Sequence, residues 1–536
     1  MGRAWAVVAI LALAMAPSVR LLVRCIDLPN FGFFHDDALY YVSAKALAEG
    51  DEYRVASLPD QPYQTKYTPL FPLILSVAWK LAPQFPENLS VAAVLAYLPL
   101  PLLVGLFFVY LLQMGTRLRL AVALTAGFAV NPWVGYLANS LLAEVWLALF
   151  TLGAVVAAER ASRDPGRRPW MAVVAGAAAS LAFLTRTAGL FLLVSVPLVF
   201  LLKRRGRAAG LFLATMLPVV AWWTWWSWAH RSAGQDWVSL YYLDYGRYYL
   251  KSVTLADLPV LFHQNIDYFI RSIADLLIYE MGETYIGMFL ARPIGIAALI
   301  GAWRAARRSG QWHFPAFAAV QAGVLMVWNF PANPRFLVVL MPLLFHGLWT
   351  ELEQLGGVVA KAARAERRGQ RVAAVVMGTV LAGVCGGVLY RTLEGWRRLD
   401  FNAEHHRAIR SASLPVYGWI AANLPQGARI HADRDPVLYL YTGAVGCSVV
   451  IPPTVFYRGK REEMVRWFDE FAEFVRRQGL DHVLLTPNDF ERYSEDGLHR
   501  ARVRRELGKG GYEKIWERGG YAVYRVEGEK QGERLY

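Results

Sequence analysis

Charge is scarce in this sequence. Only 18% of its 536 residues are Asp, Glu, Lys or Arg, where an ordinary soluble domain carries about a quarter, so a water-soluble globular fold is excluded. Cysteine is scarcer still. Cys25, Cys385 and Cys447 are odd in number and widely spaced, and support neither a disulfide framework nor a zinc site. Internal repeats and low-complexity stretches are missing too. What the chain has in excess is apolar surface, with 56% hydrophobic and 13% aromatic residues.

That excess is gathered into blocks near 4–24, 91–113, 120–137, 141–158, 170–185, 188–203, 208–228, 286–302, 313–328, 335–350 and 372–391. Each approaches the ~20 residues that a helix needs to cross a hydrocarbon core, and backbone groups that lipid cannot satisfy must pair within a helix. The expected fold is a polytopic α-helical membrane protein of about 11–13 spans with a C-terminal extracytoplasmic α/β domain. The first apolar run resembles a signal peptide but is read as a retained span. The short block 69–82, punctuated by Pro69, Pro72 and Pro83, is read as interfacial.

The net charge of +14 does not mark a nucleic-acid binder, because of where the charge sits. Basic residues cluster between apolar blocks: Arg117 and Arg119; Arg160, Arg163, Arg167 and Arg168; KRRGR at 203–207; Arg304, Arg307 and Arg308; Lys361, Arg364, Arg367, Arg368 and Arg371. Short basic loops stay in the cytoplasm, and anionic headgroups reinforce them. With these clusters inside, the N-terminus is cytoplasmic, in a bacterial-type inner membrane, and the C-terminus lies outside. Residues 1–392 then form the membrane domain and 393–536 an outer domain. ARIHA and DHVLLT in that tail read as strands, and EEMVRWFDEFAEFVRRQG as a helix closed by glycine.

Two more hydrophilic regions fall outside, 27–68 and 229–285. The first holds seven acidic residues against three basic. It contains HDDALYYVSAKALAEG, in which Asp36 and Asp37 open a helix-like run; such a pair also suits plain N-terminal capping. Lys66 precedes the proline-punctuated segment in KYTPLFPLIL, as a snorkelling lysine also would. Glu144 begins an outward-starting span in LLAEVWLALF, where a carboxylate is costly. Arg186 in FLTRTAGL and Arg335 in NPRFLVVLMP turn on the same side. Singly, each is an interface anchor. Together they put carboxylates and cations on one face of one membrane.

Such a set fits a lipid-phosphate-linked sugar. Lys66, Arg186 or Arg335 could hold an anionic phosphate at headgroup depth. Phosphate leaves readily, so stabilising its developing charge carries much of the rate, and an aspartate can take the acceptor's proton. Direct attack inverts the anomeric centre.

On these segments, with DPVLYLYTG at 435–443, the chain resembles the GT-C class of integral-membrane glycosyltransferases, the group that includes protein O-mannosyltransferases and lipid A aminoarabinose transferase. The likeness covers nearly the whole length. It implies a polyprenyl-phosphate sugar donor, an inverting mechanism, Asp36 as catalytic aspartate with Asp37 in support, Lys66 and Arg186 (with Arg335) toward carrier phosphate, and Glu144 as a nearby acid. Thr65 stands where the aminoarabinose group tends to have a carboxylate, and the soluble insert of the mannosyltransferases is absent.

The second loop adds tyrosines (SLYYLDYGRYYL) that could stack on a sugar, and His263, Asp275, Glu280 and Glu283, which either approach the acceptor, hold a divalent cation or are simply solvated; no spacing defines a metal site. The expected partners are the lipid-linked donor, membrane lipids and a lipid, glycan or protein acceptor, with no nucleic acid. Two other readings remain. A transporter or flippase tends to show paired half-length spans and mid-membrane charges, which this chain lacks; a non-catalytic scaffold would use the tail alone.

Overall fold

The computed structural model describes residues 2–163, 168–364, 368–456, 461–491, 493 and 497–527; Arg167 and Arg367 of the basic clusters lie outside them. Every apolar block falls on a helix. Among the described residues five helices are long and apolar enough to cross a membrane: Leu89–Gln113, Glu144–Arg163, Gly206–Ala229, Gly287–Ser309 and Pro334–Ala363. Two further blocks are bent. The first breaks by 44° between Ala14 and Ala16, and the 120–137 block by 57° ahead of Pro132, where proline removes a backbone donor. Trp170–Thr185, Thr187–Leu202, His313–Val327 and the segment read as interfacial, Leu70–Leu81, are shorter apolar helices.

The helices share a polarity. Glu144–Arg163 starts at Glu144 and ends in Arg160 and Arg163; Pro334–Ala363 starts beside Arg335 and ends near Lys361. Trp170–Thr185 runs the other way and stops at Arg186. The isolated carboxylates and arginines are thus at one end of the bundle, opposite the basic clusters. Helices Tyr285–Ser309 and Met341–Ala363 approach closely where Gly301 and Gly347 face each other's backbones, the small-residue contact expected of membrane helices.

The second outer loop is helical rather than irregular. Asp236 accepts from the N–H groups of Val238 (3.0 Å) and Ser239 (3.1 Å), capping Trp237–Leu243. Asp244 accepts from Arg247 (3.0 Å) and caps Tyr245–Ser252. These are ordinary Asp N-caps. A third, amphipathic helix, Leu258–Leu277, follows.

The helix over the 372–391 block does not stop at the expected boundary. One helix, Arg368–Asn423, runs through positions 392 and 393 into the tail. Among the described residues beyond it stand four strands, β1 (Ile430–His431), β2 (His482–Leu485), β3 (Tyr512–Arg518) and β4 (Tyr521–Val526), in the order β1-β2-β4-β3. β1 and β2 are parallel and the other pairs antiparallel. The expected single helix over EEMVRWFDEFAEFVRRQG breaks at Glu470 into Arg461–Asp469 and Phe471–Arg477, and Gly479 takes a positive φ of 60°. This domain packs on the first outer loop: Gly446 N–H donates to the Ser57 carbonyl (2.8 Å), and Arg429 pairs with Asp60 (3.0 Å).

Candidate active site

A cavity of about 800 Å³ opens between the first outer loop, the second outer loop and the turns that carry Arg186 and Arg335. Its size suits a small-molecule site. Asp36, Lys66, Arg186 and Arg335 all line it.

Asp36 and Asp37 start helix Asp36–Glu49 but do different work. Asp37 is fully buried, and its Oδ2 accepts from the N–H groups of Gly32 (2.8 Å) and Phe33 (3.2 Å). It folds the FGFFH turn back over the helix start. His35, just before, sits at φ +62°, a backbone region that side chains other than glycine seldom adopt. Asp36 is thereby turned to the cavity wall. Its Oδ2 accepts from Arg335 Nη2 at 2.8 Å, and its Oδ1 accepts from the Tyr67 hydroxyl. Burial opposes ionisation of Asp36, but Arg335, Lys66 and Arg186 outweigh it and, with Tyr67, hold the carboxyl well below the usual carboxylate range.

Arg335 also links Asp36 to Glu144. Its Nε and Arg186 Nη1 both donate to Glu144 Oε1. The Glu144 side chain is only 2% exposed, and its Oε2 is buried with no hydrogen-bond partner among the described residues. Glu144 therefore aims two guanidinium groups into one corner. Phe34 lies under Arg335 (4.8 Å to the ring centre) and Phe336 under Arg186 (5.8 Å), contacts that hold the guanidinium planes.

Lys66 faces this cluster across the cavity. Its Nζ sits over the rings of Tyr241 (4.1 Å), Tyr67 (4.8 Å) and Tyr245 (5.2 Å), and it makes no ion pair among the described residues. Burial pushes its ammonium down to about 8, reinforced by Arg186 and Arg335 and partly offset by Asp36. Three cations against two carboxylates leave the cluster with a surplus positive charge.

The two remaining acids are elsewhere. Glu280 and Glu283, expected near the site, do not line the cavity; Arg398 of the long helix holds them, with Glu283 at 2.7 Å. Asp275 accepts from Gly282 N–H at 2.6 Å. Among the described residues no three His, Cys, Asp or Glu side chains group as metal ligands.

Several contributors carry no signal in the sequence. Tyr67 stands one residue from Lys66, and Tyr40 four from Asp36, yet nothing local marks either. Tyr241, Tyr245 and Tyr249, in the tyrosine-rich run already read as able to stack on a sugar, all line the cavity, and the fold separates them from Tyr242 and Tyr248 of the same run. Their rings continue onto Trp328, which stacks with Tyr245 (5.2 Å) and Tyr249 (5.6 Å).

A helical domain with apolar spans, a cation-rich cavity and a small C-terminal sheet has a fold shared with solved membrane proteins. Among solved structures it matches ArnT from Cupriavidus metallidurans bound to undecaprenyl phosphate, at TM-score 0.54 and 14% identity over 98% of both chains. The apo form of that protein matches at TM-score 0.50 and 15% identity, over 91% of this chain and 92% of that one. The archaeal oligosaccharyltransferase AglB from Archaeoglobus fulgidus, in complex with an inhibitory peptide and a dolichol-phosphate, gives TM-score 0.48 and 13% identity, over 99% of this chain and 75% of that one. No protein family and no curated protein sequence matches.

Proposed function

We propose that the protein is an inverting glycosyltransferase, moving a sugar from a polyprenyl-phosphate carrier to an acceptor at the outer face of the membrane. The observation that carries this reading is the shared cavity of Asp36, Lys66, Arg186 and Arg335. The cations receive the carrier phosphate: the two arginines as planar donors, Lys66 as a point charge. As the glycosidic bond lengthens, charge builds on that phosphate, and the surplus positive charge stabilises it. The acceptor hydroxyl attacks from the opposite side of the sugar and loses its proton to Asp36. A phosphate that draws Arg335 toward itself weakens that arginine's hold on Asp36 and makes the carboxylate a better base. The likeness to a structure holding undecaprenyl phosphate agrees with such a donor. The aromatic wall from Tyr241 to Trp328 suits the sugar face or the first isoprene units.

Comparing envelope glycolipids and glycoproteins by mass spectrometry, with and without the gene, tests the proposal and names sugar and acceptor together. Unchanged profiles under conditions where the protein is made would overturn it.

Lys66 supplies a pH signature. Only its protonated form attracts phosphate, and it titrates near 8 in the free protein. Undecaprenyl phosphate affinity should therefore fall as pH rises through about 8, in a range where the phosphate itself is already fully ionised (pKa about 6). Lys66→Arg removes this alkaline limb, because arginine stays charged. Titrating binding by tryptophan fluorescence checks it; a flat profile from about pH 7 to 9.5 in the wild-type protein counts against Lys66 as a phosphate ligand.

A further inference from the structure

No described residue of 393–527 lines the cavity, which raises the question of what the C-terminal domain does for the site. Arg434 and His406 meet the lining residue Phe33, and beside Arg434 stands Asp435, the first residue of helix Asp435–Thr442. Asp435 is buried, and its Oδ1 accepts from the Tyr242 hydroxyl at 2.7 Å and stands 3.3 Å from His35 Nε2. Those two partners adjoin the two halves of the catalytic cluster. His35 precedes Asp36 and holds a positive φ of 62°. Tyr242 follows Tyr241, whose ring lies 4.1 Å under the Lys66 ammonium and packs edge-on against Tyr242 at 5.4 Å.

The rest of the same helix presses on the first loop. A Cβ on Gly32 would come within 2.8 Å of Val437, and Lys45 of the Asp36 helix sits 4.9 Å over the Tyr439 ring. A positive φ at His35 is not self-supporting, and such a conformation persists only where its surroundings over-determine it. Two buried groups meet its ring nitrogen Nε2, Asp435 at 3.3 Å and the Tyr242 hydroxyl, itself bonded to Asp435, at 3.1 Å.

We propose that Asp435 is a positioning residue: through Tyr242 it seats Tyr241 under Lys66, and through His35 it fixes the turn that aims Asp36. The C-terminal domain then serves the site by bracing it, without touching donor or acceptor. This rests on the reading of Lys66 as the phosphate ligand.

The test is a binding cycle on the full-length protein in nanodiscs, with undecaprenyl phosphate as probe. Asp435→Ala and Tyr242→Phe should each weaken binding about three- to tenfold, the worth of one buried hydrogen bond. The two together should cost no more than either alone. Asp435→Asn, which still accepts from Tyr242, should restore affinity. In a Lys66→Ala background the Asp435→Ala loss should vanish, because it acts through Lys66. An Asp435→Ala loss that persists undiminished in that background, or wild-type affinity in both single variants, overturns the proposal. Lys66→Ala that binds like wild type instead overturns the underlying assignment of the phosphate site. Should Asp435→Ala fail to fold, Tyr242→Phe, which removes one hydroxyl, decides by the same criteria.

Discussion

Replacing Asp36 with Asn is expected to lower sugar transfer by about 10²–10⁴-fold, the usual worth of a general base, while undecaprenyl phosphate binds at least as tightly as before. The reason is electrostatic. Asn keeps the shape of Asp; its one carbonyl oxygen can still accept from Arg335, while its NH2 turns to the Tyr67 hydroxyl oxygen, these being the two groups that bond Asp36. It cannot take a proton from the acceptor. It also removes one of the two carboxylates that neutralise Lys66, Arg186 and Arg335, so the cavity becomes more attractive to an anion. Transfer measured as polyprenyl phosphate released, alongside binding of undecaprenyl phosphate, separates the two effects. Near-normal turnover in this variant would remove Asp36 from the mechanism; loss of both turnover and binding would make it a structural residue.

Glu144→Gln should have the largest effect on stability. Glu144 Oε1 accepts from both Arg186 and Arg335 with almost no solvent around it. Taking away a buried partner leaves its cations uncompensated, at a cost of about 3–5 kcal/mol. Arg335 retains Asp36, but Arg186 has no second carboxylate ion pair among the described residues. The thermal midpoint should fall, and added undecaprenyl phosphate should raise it more than in the wild-type protein, because the phosphate can replace the missing counter-charge. Thermal unfolding in detergent with and without that lipid is the measurement. An unchanged midpoint, or a ligand shift no larger than wild type, would mean that Glu144 does not organise the two arginines.

Both predictions concern residues that the amino-acid sequence alone marks as candidates. Asp36, Lys66, Glu144, Arg186 and Arg335 stand out because a charge beside an apolar span is costly and local hydropathy exposes it. The same logic overreaches at Glu280 and Glu283, which are charged and on an outer loop but belong to Arg398. Composition cannot tell which arginine an exposed carboxylate will meet. Adjacency alone pairs Asp37 with Asp36, and only the fold separates them, one to the backbone of Gly32 and Phe33, the other to the cavity.

The chain by itself determined the helices, their alternating direction and the end of the bundle where the isolated carboxylates and arginines gather. Hydrophobic length, basic flanks and capping aspartates act over a few residues, so they are readable one segment at a time. Only the tertiary structure decided the partners. Arg335 meets Asp36 across 299 positions, and His35 meets Asp435 across 400. Such pairs are set by how rigid helices and the C-terminal domain pack together, and no residue carries a local mark of the neighbour that packing will bring.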